Sequence, residues 1–93
     1  MTQSEIEKML IEVVCHIQEI SGRKKVEVTT DTSPVLDMPG FDSLNGVEST
    51  IEMSGRLKKD VPFNNVFVDE ARALTIRQAG VRLLACLDGK KSQ

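Results

Sequence analysis

Ile6, Leu10, Val13, Val14 and Ile17 recur at the three-and-four spacing of one helix face, with Ile20 near its end. Thr2 and Ser4 each have a glutamate three residues on, Glu5 and Glu7, so two overlapping capping boxes open this helix. Ser21-Gly22 stops it, and Arg23, Lys24 and Lys25 follow at the negative end of its dipole, where a solvated basic helix end is expected. From Val26 the pattern changes. Val26-Glu-Val-Thr-Thr alternates like a short strand, but Asp31-Thr-Ser-Pro34 and Met38-Pro39-Gly40 break the alternation. A connection this long without regular structure is uncommon unless it is functional. Residues 26–41 are expected to form an ordered loop that crosses the top of a helical bundle.

Asp42 is a good N-cap after Pro39-Gly40-Phe41, and the segment to about Lys59 has helical composition apart from Gly46 and Gly55. Val61-Pro62 ends it. Residues 62–73 are weakly patterned and are expected to contain one short helical turn. Thr75 and Gln78 form a further capping box, and Ile76, Ala79, Leu83, Leu84 and Leu87 make the inward face of a last helix. Asp88-Gly89 closes that helix, and residues 90–93 are expected to fray. These elements predict an all-α bundle of three longer helices and one short one. It forms a single domain over residues 1–93, with an ordered core of about 4–88 and a long loop between the first two helices.

The second long helix carries two apolar stripes. Leu44, Val47 and Ile51 fall on one; Met53 and Leu57 fall roughly opposite, with the small residues Gly46 and Thr50. Either the helix is central and buries both, or one stays exposed, and an exposed aliphatic stripe flanked by Glu48 and Glu52 would be a protein-binding site. Periodicity does not choose between these.

Composition narrows the function classes. The 93 residues include three Phe and neither Trp nor Tyr, which argues against a β-sandwich or barrel and removes the stacking platform of single-stranded nucleic-acid binders. A net charge of −2 makes a broad phosphate-binding surface improbable, so no nucleic-acid partner is expected. Acids concentrate in the first half, so a charge-steered partner of that part should be basic. Cys15 and Cys86 are too far apart in sequence for a metal or redox motif and read as buried free thiols of a cytoplasmic protein. The N-terminus is not basic and Glu12 interrupts the nearest apolar run, so neither a signal peptide nor a membrane span is expected. His16 is the only histidine, which leaves no His cluster for a metal site or a triad.

Gly40-Phe41-Asp42-Ser43-Leu44, followed by Val47-Glu48, opens the second long helix after a long loop, and Leu74-Thr75-Ile76 leads into the last one. From Ile6 to Leu87 this arrangement resembles the acyl carrier protein family, whose Asp-Ser-Leu motif carries 4′-phosphopantetheine on the serine. The resemblance implies a stand-alone monomeric carrier with the arm on Ser43, which is a substrate and partner of enzymes and not itself an enzyme. Its partners would be a phosphopantetheinyl transferase and acyl-transferring, condensing or acyl-activating enzymes of fatty acid, polyketide or related specialised biosynthesis. Asp42, Leu44, Val47, Glu48, Ile51 and Glu52 would form the recognition face. The first stripe should then be exposed and Met53 and Leu57 buried.

Two departures favour a specialised carrier over a housekeeping one. Asn45-Gly46 follows the motif, and Arg56, Lys58 and Lys59 make the second half of the helix basic, so only its first half is acidic. Gly46 and Gly55 each cost the helix about 0.5–1 kcal/mol relative to Ala and are expected to serve close packing or a bound chain. The alternative is an unmodified helical interaction module with a degenerate carrier fold.

Overall fold

The computed structural model describes residues 1–88. Helix α1 spans Gln3–Ile20 and opens on the first of the two expected capping boxes: Thr2 Oγ1 accepts from the Glu5 N–H at 3.2 Å, and Glu5 Oε1 accepts from the Thr2 N–H at 2.7 Å. All five of its predicted core positions are buried. Helix α2 is a single turn, Pro34–Asp37; helix α3 spans Ser43–Leu57 and helix α4 Ile76–Asp88. The predicted close of α4 at Gly89 and the tail beyond it lie outside the described residues.

Helix α1 packs against both α3 and α4. Helix α3 runs back along it: Arg23, just past the end of α1, bonds the first turn of α3, and Glu12 pairs with Arg56 near the end of α3. Helix α4 starts beside the start of α1, where Gln3 Nε2 donates to the Arg77 carbonyl at 3.1 Å. Met53 of α3 and Ile76, Ala79 and Leu83 of α4 complete a core that also takes Met38, Phe41, Val66 and Phe67 from the connections. Phe41 and Phe67 meet edge to face, with ring centroids 6.1 Å apart.

The connections depart from expectation. The short helix lies in the first connection, not the second. Pro34 starts α2 with φ already suited to a helix, the Asp37 carboxylate takes the Ser33 N–H at 2.8 Å, and the Met38 N–H closes the turn on the Pro34 carbonyl. The Ser33 hydroxyl is buried without a partner among the described residues. Residues 62–73 hold no helical turn. Instead β1 (Val68–Asp69) pairs antiparallel with β2 (Arg72–Ala73), in the register Val68 to Ala73 and Asp69 to Arg72. Glu70 and Ala71 between them have φ of 50° and 66°, the left-handed pair that a two-residue hairpin turn requires. The fold is therefore mostly helical, as expected, with one small antiparallel hairpin added.

Of the expected 26–41 loop only 26–33 precedes α2. This irregular stretch does not cross one end of the bundle: it runs from the end of α1 to the start of α4, which lies beside the opposite end of α1. Val26 and Val28 pack against the core, and the carbonyls of Thr32 and Thr30 accept from the N–H groups of Ile76 and Arg77, both at 2.9 Å. The loop thereby satisfies two of the unpaired donors at the start of α4, beside the predicted Thr75–Gln78 box. Cys15 and Cys86 are free, as expected, but half-buried and not fully buried. No described helix is long and apolar enough to cross a membrane.

The box at Thr2 makes a titration prediction. Hydrogen bonds from Thr2, first its backbone N–H and then its hydroxyl, hold the Glu5 carboxyl below the ordinary carboxylate range. A carboxyl with a lowered folded pKa stabilises the fold above its unfolded value, and loses that contribution as pH falls through the folded one. In a pH series followed by NMR, the Glu5 midpoint should lie below that of the same residue in the denatured chain, with the Thr2 amide signal moving at the Glu5 midpoint. A coincident pair of midpoints would show that the box is not formed in solution.

Candidate functional site

The first turn of α3 is built around one buried amide. Asp42 caps the helix, its Oδ1 accepting from the Asn45 N–H at 3.1 Å, and Asn45 Oδ1 returns the bond to the Asp42 N–H at 3.1 Å. Asparagine thus fills the place that glutamate or glutamine takes in the usual capping box. The same Oδ1 accepts from Arg23 Nη1 at 2.8 Å, and Asn45 Nδ2 donates to Glu48 Oε1 at 2.7 Å. Ser43 is the first helical residue and is exposed.

Arg23 reaches this turn because of how α1 ends. Gly22 adopts φ +70°, and the N–H groups of Gly22 and Arg23 bond back to the carbonyls of Glu19 and Gln18, both at 3.0 Å. This Schellman turn sends the chain back across the helix end. The Arg23 guanidinium then bonds Gln18 Oε1 at 3.1 Å, while Gln18 Nε2 holds the Pro39 carbonyl, also at 3.1 Å. A Cβ on Gly40 would lie 2.8 Å from Arg23 Nε, and Gly40 has φ +75°, so both space and backbone demand glycine there. Arg23 is half-buried, and the expectation of a fully solvated basic helix end is corrected for this residue; Lys24 and Lys25 are exposed.

The second connection is fastened to the inner side of α3. Asn65 Nδ2 donates to the Ser43 carbonyl at 3.0 Å, and its Oδ1 accepts from the Phe67 N–H at 3.0 Å. Thr50 Oγ1 donates to the Gly46 carbonyl at 2.8 Å and accepts from the Val66 N–H at 2.7 Å. Arg82 of α4 holds the outer side of the same segment. Its Nη1 donates to the Asn65 carbonyl at 2.7 Å, and its guanidinium stacks on Phe63 at 3.9 Å. Neither Asn65 nor Arg82 carries a sequence signal for this role. Gly46 did, as a helix-weakening residue awaiting a packing reason.

The two stripes of α3 separate. Leu44 and Ile51 are 66% and 68% exposed and Val47 is half-buried, whereas Met53 is fully buried and Leu57 partly so. Leu36 of α2, which packs on α3, adds another exposed leucine. The carboxylates are less free than the sequence implies. Glu48 bonds Asn45, and Glu52 shares Arg56 with Glu12, at 3.1 and 3.2 Å, so Arg56 bridges α3 to α1. The exposed His16 lies beside Cys15 on a cleft of about 550 Å³ that Arg23, Val26 and Met38 also line. Among the described residues no group of three His, Cys, Asp or Glu is placed to hold a metal ion.

Two pairs of substitutions test this geometry. A Cβ on Gly46 would lie 2.3 Å from Asn65 Oδ1, whereas one on the exposed Gly55 meets nothing within 4 Å. Gly55→Ala should stabilise by about 0.5–1 kcal/mol through helix propensity, while Gly46→Ala should destabilise by about 1–2 kcal/mol because Asn65 loses its bonds. Thermal melts of both variants check the opposite signs. Met53→Ala should cost about 2–5 kcal/mol, and Leu44→Ala less than about 0.5 kcal/mol. The reverse order in denaturant midpoints would place the wrong stripe in the core.

Comparisons with protein-family models, with curated proteins and with solved structures found no match to this chain.

Proposed function

We propose that this chain is an acyl carrier protein that bears 4′-phosphopantetheine on Ser43. The observation that carries the reading is the setting of Ser43, an exposed hydroxyl on the first residue of a capped helix, next to an aliphatic stripe turned outward. The start of α3 offers unpaired N–H groups and the positive end of the helix dipole, where a phosphodiester is tolerated. Ser43 needs no base of its own. A transferase with Mg²⁺ activates the hydroxyl, Oγ attacks the coenzyme A phosphorus that bears pantetheine, and the P–O bond to adenosine 3′,5′-bisphosphate breaks as the proton leaves to the enzyme. The arm's thiol then carries the acyl group as a thioester, so neither Cys15 nor Cys86 takes part. Leu44, Val47 and Ile51 would meet partner enzymes, with Asp42, Glu48 and Glu52 at their margin.

A second reading, an unmodified interaction module using the same stripe, is favoured by one observation: Glu48 and Glu52 are both bonded within the chain, which blunts an acidic docking face. Mass spectrometry after incubation with coenzyme A and a promiscuous phosphopantetheinyl transferase separates the two. The carrier gains one phosphopantetheine, mapped to Ser43, and Ser43→Ala abolishes the gain with its melting curve unchanged. No gain under conditions that load a control carrier leaves the interaction module.

A further inference from the structure

Arg23 is an unusual cation. It is half-buried, its shaft passes under Gly40, and its guanidinium bonds the neutral amide oxygens of Gln18 and Asn45. Among the described residues it forms no ion pair, although Arg56, Arg77 and Arg82 each have a carboxylate partner. Taking a cation partly out of water costs free energy that a carboxylate usually offsets. Here no carboxylate touches the guanidinium; Asp42 and Glu48 reach it only through Asn45.

The guanidinium adjoins Ser43. Asn45 Oδ1 accepts from both Arg23 Nη1 and the Asp42 N–H, so the guanidinium stands within two hydrogen-bond lengths of the backbone just before the serine. Two carboxylates bond the same residue, Asp42 through the Asn45 N–H and Glu48 through Asn45 Nδ2. Without Arg23, an anion carried on Ser43 would face that pair with only the helix end to hold it. We infer that Arg23 is a positioning residue for an anionic, phosphodiester-bearing Ser43: it fixes the first turn of α3 through Asn45 and supplies the positive charge that offsets Asp42 and Glu48. The inference rests on the carrier reading for the identity of the anion, but the field at position 43 can be measured without it.

The probe is a thiol at the same position. In a Cys15→Ala, Cys86→Ala background, Ser43→Cys leaves one cysteine, whose pKa is read from the pH dependence of its alkylation by iodoacetamide. Thiolates at helix starts and beside cations have lowered pKa values. Adding Arg23→Gln should raise that pKa by about half a unit to one unit, whereas Arg23→Lys, which keeps the charge, should hold it within about 0.3 unit of the parent. Asp42, Glu48 and Glu19, which lines the same cleft as Arg23, are common to all variants, so the differences isolate Arg23. An unchanged pKa in Arg23→Gln overturns the inference, as does an equal rise in both variants, which would make the effect one of geometry and not charge. Should Arg23→Gln fail to fold, judged by its melting curve, Arg23→Met, which keeps the length of the shaft without the charge, takes its place under the same criteria. Transferase loading of the Ser43 chain is the separate arm. Loading with an unmoved thiol pKa keeps the carrier reading and sinks the role of Arg23; a shifted pKa without loading does the reverse for the carrier reading.

Discussion

The side chain of Asn45 is the junction on which the candidate site depends. It is 5% exposed, and its amide orientation is fixed by its neighbours: the oxygen faces two N–H donors, Asp42 and Arg23, and the nitrogen faces the Glu48 carboxylate. A buried amide left without such partners costs about 1–3 kcal/mol, so these four groups hold one another in place. Through Asn45 the cap of α3, the end of α1 and the second turn of α3 become one unit. Ser43 inherits its position from that unit without contributing a side chain to it.

A second unit ties the irregular segment before α4 to the same turn. Asn65 sits in the space that Gly46 leaves, Thr50 takes the Val66 N–H, and Arg82 clasps the segment from α4. This segment relies on side-chain bonds to backbone and not on a ladder, since its hairpin has only two residues per strand. Small residues on α3 therefore face inward for a physical reason. Gly46 and Thr50 let the chain approach closely enough to bond, and that requirement turns Leu44 and Ile51 outward.

What was legible in the sequence follows from how local each signal is. The three long helices announce themselves through Thr2–Glu5, Asp42, Thr75–Gln78 and their apolar spacing, all within a few residues, and each cap is formed. The hairpin was not legible, because Glu70 and Ala71 take left-handed conformations that sequence rules assign to Asn and Gly. Nor was α2, whose single turn depends on Asp37 reaching the Ser33 N–H. Arg23 reads as solvated from charge alone. Only the turn at Gly22 and the approach of α3, a tertiary event, bring it under the first turn. The stripes of α3 were visible, but which of them is buried depended on a segment whose own structure was illegible.

The outward face has a further consequence for any partner that docks there. Glu12 and Glu52 share Arg56, so that cluster carries less charge than its two carboxylates suggest, and exposed pairs of this kind contribute only about 0.2–1 kcal/mol. Burying a leucine or isoleucine from an exposed state contributes about 1.5–3 kcal/mol, and Leu44 and Ile51 are both largely exposed. Apolar burial therefore outweighs charge in holding such a complex together. Charge acts at longer range, over roughly the 8–10 Å that physiological salt leaves unscreened, and so governs encounter more than lifetime. On this face charge would set how fast a partner arrives, and Leu44 and Ile51 how long it stays.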